Sequence, residues 1–435
     1  MKEYILKNYS NIKIPKMVEI KQLFFQREIK DISLEVEKGF IKCKARDKIS
    51  PGNRVAIAVG SRGIPHLAEI VTVVVREVKK IGAEPFIFPA MGSHGGAEAE
   101  GQRKILESYG ITERIVGAPI VSSMDTVEIG RLKGNIPIYF DRNAFNAQAI
   151  IPINRIKPHT DFGGELGSGL IKLIVIGLGK HKGALIIHRH GVYGLRNLIP
   201  QAARMIIKKT PIVFGIGIVE DACKHIAIIR VIEPKNILEE EKKLLIKAKE
   251  LMPKLPVDRI DLLIVDEMGK EISGSGMDTN VIGRMKIQGE KEPEKPKIKR
   301  VLVLNITESS HGNAVGIGLA DFSTKKLIER IDYHSFYVNT LTSTFVERGK
   351  IPIVLDSDEE AIRAGLATCW LDHFEEARVI RIKNTSELSK MYVSEKILRE
   401  IIGRRDIEVV GKLREIKFNE EGNLIDNERG GGLIK

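Results

Sequence analysis

Residues 156–191 read IKPHTDFGGELGSGLIKL and then IVIGLGKHKGALIIHRHG, and they concentrate side chains able to do chemistry. Four of the ten histidines lie there: His159, His181, His188 and His190. Imidazole ligates metals and titrates near neutral pH. Glycines let backbone approach a bound group with no side chain between. Lys172 sits among apolar neighbours, the setting in which a lysine loses its charge and carries a covalent attachment. Together these describe a cofactor bay. A glycine-rich loop with solvated histidines is the equally open alternative.

Three other stretches could serve such a bay. SRGIPH (61–66) precedes an apolar helical pattern, and the free N–H groups of a helix start bind phosphate. Ser61 and Arg62 are candidates for that clamp; a capped helix with one surface arginine is the alternative. MGSHGG (91–96) sets His94 between glycines after an apolar run, as an acid/base candidate or a solvated histidine. GSGMDTNVIGRMK (274–286) holds Asn280, Arg284 and Lys286. A carboxylate substrate needs a guanidinium or ammonium partner, although both cations also read as surface residues.

The elements that must position these residues alternate. RVAIAVG (54–60) is a buried parallel strand by its β-branched apolar run, and LAEIVTVVVREVKKIGA (67–83) has helical spacing. EPFIFP opens the next strand, and residues 98–111 form a helix stopped by glycine. Residues 31–46 fit either a strand pair or a helix. Residues 119–155 read as β-rich, 184–209 as mostly helical, 210–234 as two strands and 237–254 as an amphipathic helix. The prolines of MPKLPVD mark a domain boundary. Beyond it, strands are expected at DLLIVDE, VLVLNIT, IPIVLDS and VIRIKNTSEL, with 290–300 as a linker or hairpin. Strand–helix alternation specifies α/β: two doubly wound Rossmann-like domains with the active site in the cleft between them. The expected division is 1–256, 257–400, and a segment 401–435 that returns to the first domain.

Composition narrows the classes. The 435 residues carry a net charge of +12, but Lys and Arg are interspersed with Glu and no aromatic-rich basic stripe occurs, which argues against nucleic acid. No apolar run reaches the roughly 18 residues of a membrane span, and the start has no apolar signal region. Three scattered cysteines fit a reducing cytoplasm and argue against disulfides or a cysteine zinc site.

KPH, FGG, SG, Lys172 and then His188 sixteen positions later resemble the signature region of the nickel-pincer nucleotide-dependent lactate racemase family. The interval from His159 to Lys172 is three residues longer than in the lactate enzymes, so that loop is rebuilt. The resemblance implies an isomerase: a racemase or epimerase that inverts C2 of a 2-hydroxy acid by reversible hydride transfer. It implies a nickel-pincer nucleotide joined to Lys172, with His188 as the nickel ligand and His181 or His190 as alternatives. His94 and His159 become the acid/base pair. Ser61, Arg62, Gly164 and Ser168 become cofactor-binding residues, and Asn280, Arg284 and Lys286 face the substrate. Implied partners are a small 2-hydroxy acid and the proteins that make the cofactor, with a homodimer left open. Two other classes remain: a nicotinamide-dependent dehydrogenase, against which no GxGxxG opens the first strand–helix unit, and a non-catalytic nickel- or nucleotide-binding protein.

Overall fold

The computed structural model describes residues 2–61 and 63–425. The chain divides into two compact units, residues 25–252 and residues 1–24 with 253–435.

In the unit of residues 25–252, five strands form one sheet in the order Glu84–Pro89, Arg54–Val59, Ala149–Arg155, Gly215–Glu220, Ile226–Ile232. The first four are parallel and the last turns back antiparallel. Val55–Val59 are completely buried, as expected of an apolar run covered on both faces. Helix Leu67–Lys80 lays Ile70, Val71, Val74 and Val78 on this sheet, the i, i+4 spacing of one helical face. The undecided stretch after residue 31 is a helix, Ile32–Lys42, because the Asp31 carboxylate accepts the Leu34 N–H and caps it. The expected helix over 184–209 is interrupted: Lys180–His188 and Ile199–Lys209 are joined through a π-helical turn at Gly194–Leu198. From strand 54–59 the chain moves to 84–89 on one side and later returns to 149–155 on the other. Strand order thus reverses between 54–59 and 149–155. Ligands of open α/β sheets bind at the carboxyl ends beside such a reversal.

The other unit holds an eight-stranded mixed sheet. Strands 353–355, 322–324, 297–306, 259–268 and 379–382 are parallel; 390–394, 17–22 and 407–414 continue it antiparallel. This corrects two expectations. The first 24 residues do not join the following domain, because strand Met17–Gln22 fills the gap between 390–394 and 407–414. The segment after 401 does not return to the first domain, because Ile407–Arg414 pairs with that same strand. Residues 426–435 lie outside the described residues. The proposed linker 290–300 ends early, since Lys297 already pairs with Arg259.

Candidate active site

The loops after strands 54–59, 84–89 and 149–155 carry Ser61, His94 and His159 at the carboxyl ends of one sheet. The last of them is closed on itself. Lys157 and Ser168 exchange two backbone hydrogen bonds of 2.9 and 2.8 Å, and Lys249 Nζ donates to the Gly164 carbonyl at 3.3 Å. Gly164 itself is exposed, at φ 145°.

Lys172 follows immediately. It lies in a short helix from Leu170, which runs into a π-helical turn over Leu173–Gly177, a geometry frequent at functional sites. The helix start is fixed by a residue that sequence reading missed. Glu241 is completely buried, and its Oε2 accepts the Ile171 N–H at 2.9 Å. Gly169 backs onto this carboxyl so closely that a Cβ would stand 2.4 Å from Oε1. Asn154 Nδ2 donates to the Gly169 carbonyl at 2.8 Å. Burial pushes Glu241 up to about 8, against the pull of the Ile171 and Leu170 N–H groups. Glu241 sits in an ordinary charged helix pattern, and nothing local signals its burial.

His159 is buried and stacked on Phe162 with ring centroids 4.5 Å apart. Its Nδ1 accepts the Asp161 N–H at 3.0 Å, which leaves Nε2 as the nitrogen facing Lys172 Nζ, with which it is in contact. His188 ends helix Lys180–His188. It is half-buried, and desolvation of its ring, then the charge of Lys172, push it down to about 4 while Asp161 opposes them. Among the three candidate ligands, His188 is therefore a neutral imidazole that senses Lys172. His190 is exposed, and His181 is half-buried with an Nδ1 that has no partner among the described residues.

The phosphate loop is partly described. Ser61 is half-buried, and its carbonyl accepts the Tyr109 hydroxyl at 2.8 Å. Arg62 lies outside the described residues. His94 is exposed on a loop whose Gly92 N–H donates to the Gly177 carbonyl at 3.4 Å, against the turn that follows Lys172.

In the other unit the structure separates the predicted cations from the strand ends where ligands bind. After Asp278 the chain turns through Gly283, at φ 63°, and runs back to the amino ends of the strands. Arg284 there donates to Asp321 at 2.7 Å, and to the carbonyls of Leu319, Ile298 and Lys299 at 3.2, 2.9 and 2.8 Å. Its guanidinium is engaged in holding the sheet. Lys286 donates to the carbonyls of Gly318 and Ala320 at 2.9 and 3.3 Å, and burial lowers its pKa. Asn280 donates from both backbone and side chain to Asp278 Oδ1 at 2.9 Å, completing a local cap. One cation at the carboxyl ends is Lys270, whose Nζ donates to the Gly274 carbonyl at 3.0 Å and to Asn339 at 3.2 Å. Its place directly after strand 259–268 was the signal available in sequence.

Residues 11–197 match the family model for the lactate racemase N-terminal domain, which contains Ser61, His94, His159, Lys172 and His188. Over those residues the chain is similar to the lactate racemase N-terminal domain. Two solved structures share the fold. One is a protein from Thermotoga maritima, 16% identical with a TM-score of 0.51, covering 75% of this chain and 84% of that one. The other is the lactate racemase apoprotein from Thermoanaerobacterium thermosaccharolyticum, 13% identical with a TM-score of 0.50, covering 90% of this chain and 96% of that one. At these identities the likeness is one of fold, a mixed α/β architecture with parallel sheets. No curated protein matches the chain. Among the described residues no helix is long and apolar enough to cross a membrane.

Proposed function

We propose that this chain is a racemase or epimerase acting at C2 of a 2-hydroxy acid, with a nickel-pincer nucleotide tethered to Lys172. The observation that carries the reading is the set Lys172, His159 and His188: an amine against a buried imidazole, beside a second imidazole kept neutral by burial. The donor chemistry fits that group. A neutral imidazole is the form that ligates nickel, and Lys172 is half-buried in an apolar turn. Among the described residues no three His, Cys, Asp or Glu side chains gather as a metal cage. The proposed site asks for one imidazole, the pincer bringing its other donors. When bound, the group supplies hydride acceptance at the substrate C2.

This chain's own residues do the rest. Lys172 holds the cofactor so that it need not rebind at each turnover. The helix start at Leu67 offers N–H groups to its phosphate beside Ser61. His159 is the acid/base residue for one enantiomer. The Asp161 N–H bond to Nδ1 puts the neutral ring's proton on Nε2, so accepting the hydroxyl proton there first requires that proton to move to Nδ1, where the Asp161 carboxylate stands 3.8 Å away. His94 serves the other enantiomer. Glu241 and Gly169 set the direction of the turn that bears Lys172.

The test is loss of optical rotation by single enantiomers of hydroxy and sugar acids, using protein from cells that make the cofactor. Racemisation without added nicotinamide supports the reading. Oxidation that requires added nicotinamide cofactor would replace it with the dehydrogenase.

A further inference from the structure

Lys180 is one of the most buried side chains in the molecule, with no exposed surface at all. A solitary ammonium does not survive such burial, and desolvation lowers its pKa here. Each of its three donors is nevertheless matched. Nζ donates to the Pro89 carbonyl at 2.6 Å and to Gln102 Oε1 at 3.4 Å, and pairs with Asp141 Oδ2 at 3.2 Å. Asp141 is itself buried and anchored, its N–H donating to the Leu178 carbonyl at 2.7 Å. The backbone of Lys180 is left-handed, at φ 53°, a conformation costly for any residue with a Cβ. Such an outlier persists only where its surroundings over-determine it.

What the buried ammonium touches gives it a purpose. Gln102, also fully buried, uses its other end to donate to the carbonyls of Gly92 at 3.0 Å and His94 at 3.2 Å. Pro89 ends the strand that leads into the same loop. Gly95 lies so close to the helix bearing Gln102 that a Cβ would stand 2.6 Å from the Gln102 nitrogen. Lys180 meanwhile stands between Lys172 and His188 in sequence, on the segment that carries both. One side chain thus connects the two segments on which the proposed chemistry is divided.

We propose that Lys180 is a positioning residue, which through Gln102 holds the His94 loop in register with the segment bearing Lys172 and His188. Its catalytic meaning rests on the racemase reading; the tether itself does not. Hydrogen exchange of the full chain separates the two. In Lys180→Met and in Gln102→Met, exchange over residues 91–98 should rise about tenfold or more, while exchange over helix 67–80 stays unchanged. The double variant should be no looser than the looser single, because both act on one connection. In cofactor-loaded enzyme, kcat should fall with KM little changed. Unchanged exchange over 91–98 in folded Lys180→Met, a uniform rise across the unit, or additive effects would each overturn the tether whatever the enzyme catalyses. Should Lys180→Met fail to fold, Lys180→Gln, which keeps a donor for Pro89 or Asp141, is judged by the same criterion. Loosening of 91–98 in a protein that racemises nothing would leave the tether standing and remove the racemase.

Discussion

Glu241→Gln should make the unit of residues 25–252 more stable at alkaline pH and leave it nearly unchanged at acid pH. Glu241 is fully buried, with Oε1 unpartnered among the described residues and Oε2 on the Ile171 N–H. Its pKa is about 8 in the folded chain, against an ordinary 4.5. Between those values the unfolded chain has released a proton that the folded chain keeps, so raising the pH favours unfolding. At about 1.4 kcal/mol per pH unit the full interval is worth roughly 5 kcal/mol, and a relaxing interior reduces this. Glutamine keeps an oxygen for the helix N–H groups and has no proton to lose. The single tryptophan, Trp370, lies in the other unit, so its fluorescence does not report on this one. Hydrogen exchange over residues 170–177 does. At each pH the opening free energies of Glu241→Gln and wild type are compared, which cancels the intrinsic pH dependence of exchange. The difference should grow from near zero at pH 5 to a few kcal/mol at pH 8. A difference that stays constant from pH 5 to 8 would refute a buried neutral carboxyl.

Three further outcomes follow from the geometry. Arg284→Ala should destabilise the unit of residues 1–24 and 253–435 by roughly 2 kcal/mol, since it removes the nearer cation of Asp321, which keeps the Val301 N–H and Lys286, and frees three carbonyls; urea unfolding followed by Trp370 fluorescence reads this, and a raised KM at unchanged stability would return Arg284 to the substrate. His188→Ala should reduce bound nickel to a small fraction of wild type while the Lys172 adduct persists; full nickel content in that variant, measured by elemental analysis, moves the ligand to His181 or His190. His94→Ala and His159→Ala should each lower racemisation roughly 10²–10⁴-fold, yet each should still bleach the cofactor once with one enantiomer, and a different one, in stopped-flow absorbance. Identical responses of both variants to both enantiomers would make one histidine structural.

The parts of the fold that were legible are those specified by local pattern. Strand 54–59, helix 67–80 and strand 84–89 follow from β-branched runs, helical spacing and glycine stops. The His159–Lys172 pair came from the family resemblance rather than from local pattern, and in the structure the two side chains touch. What long-range contact decides was not legible. Met17–Gln22 mixes charged and apolar residues, and only its neighbours 390–394 and 407–414, far along the chain, make it a strand. Arg284 reads as a ligand in sequence because its spacing from Asp278 says nothing of direction; the left-handed turn at Gly283 sends it to the amino ends of the strands. Lys180 stands in GLGKHKG, which reads as solvated, until Asp141, Pro89 and Gln102 converge on it from three other elements.

Whether Lys172 carries a cofactor is read most directly by peptide mass mapping of active enzyme purified from cells that make the pincer nucleotide. The peptide containing Lys172 should bear an adduct that is absent from Lys172→Ala. Unmodified Lys172 in fully active enzyme, or an adduct on Lys157 or Lys180 instead, would contradict the proposed attachment.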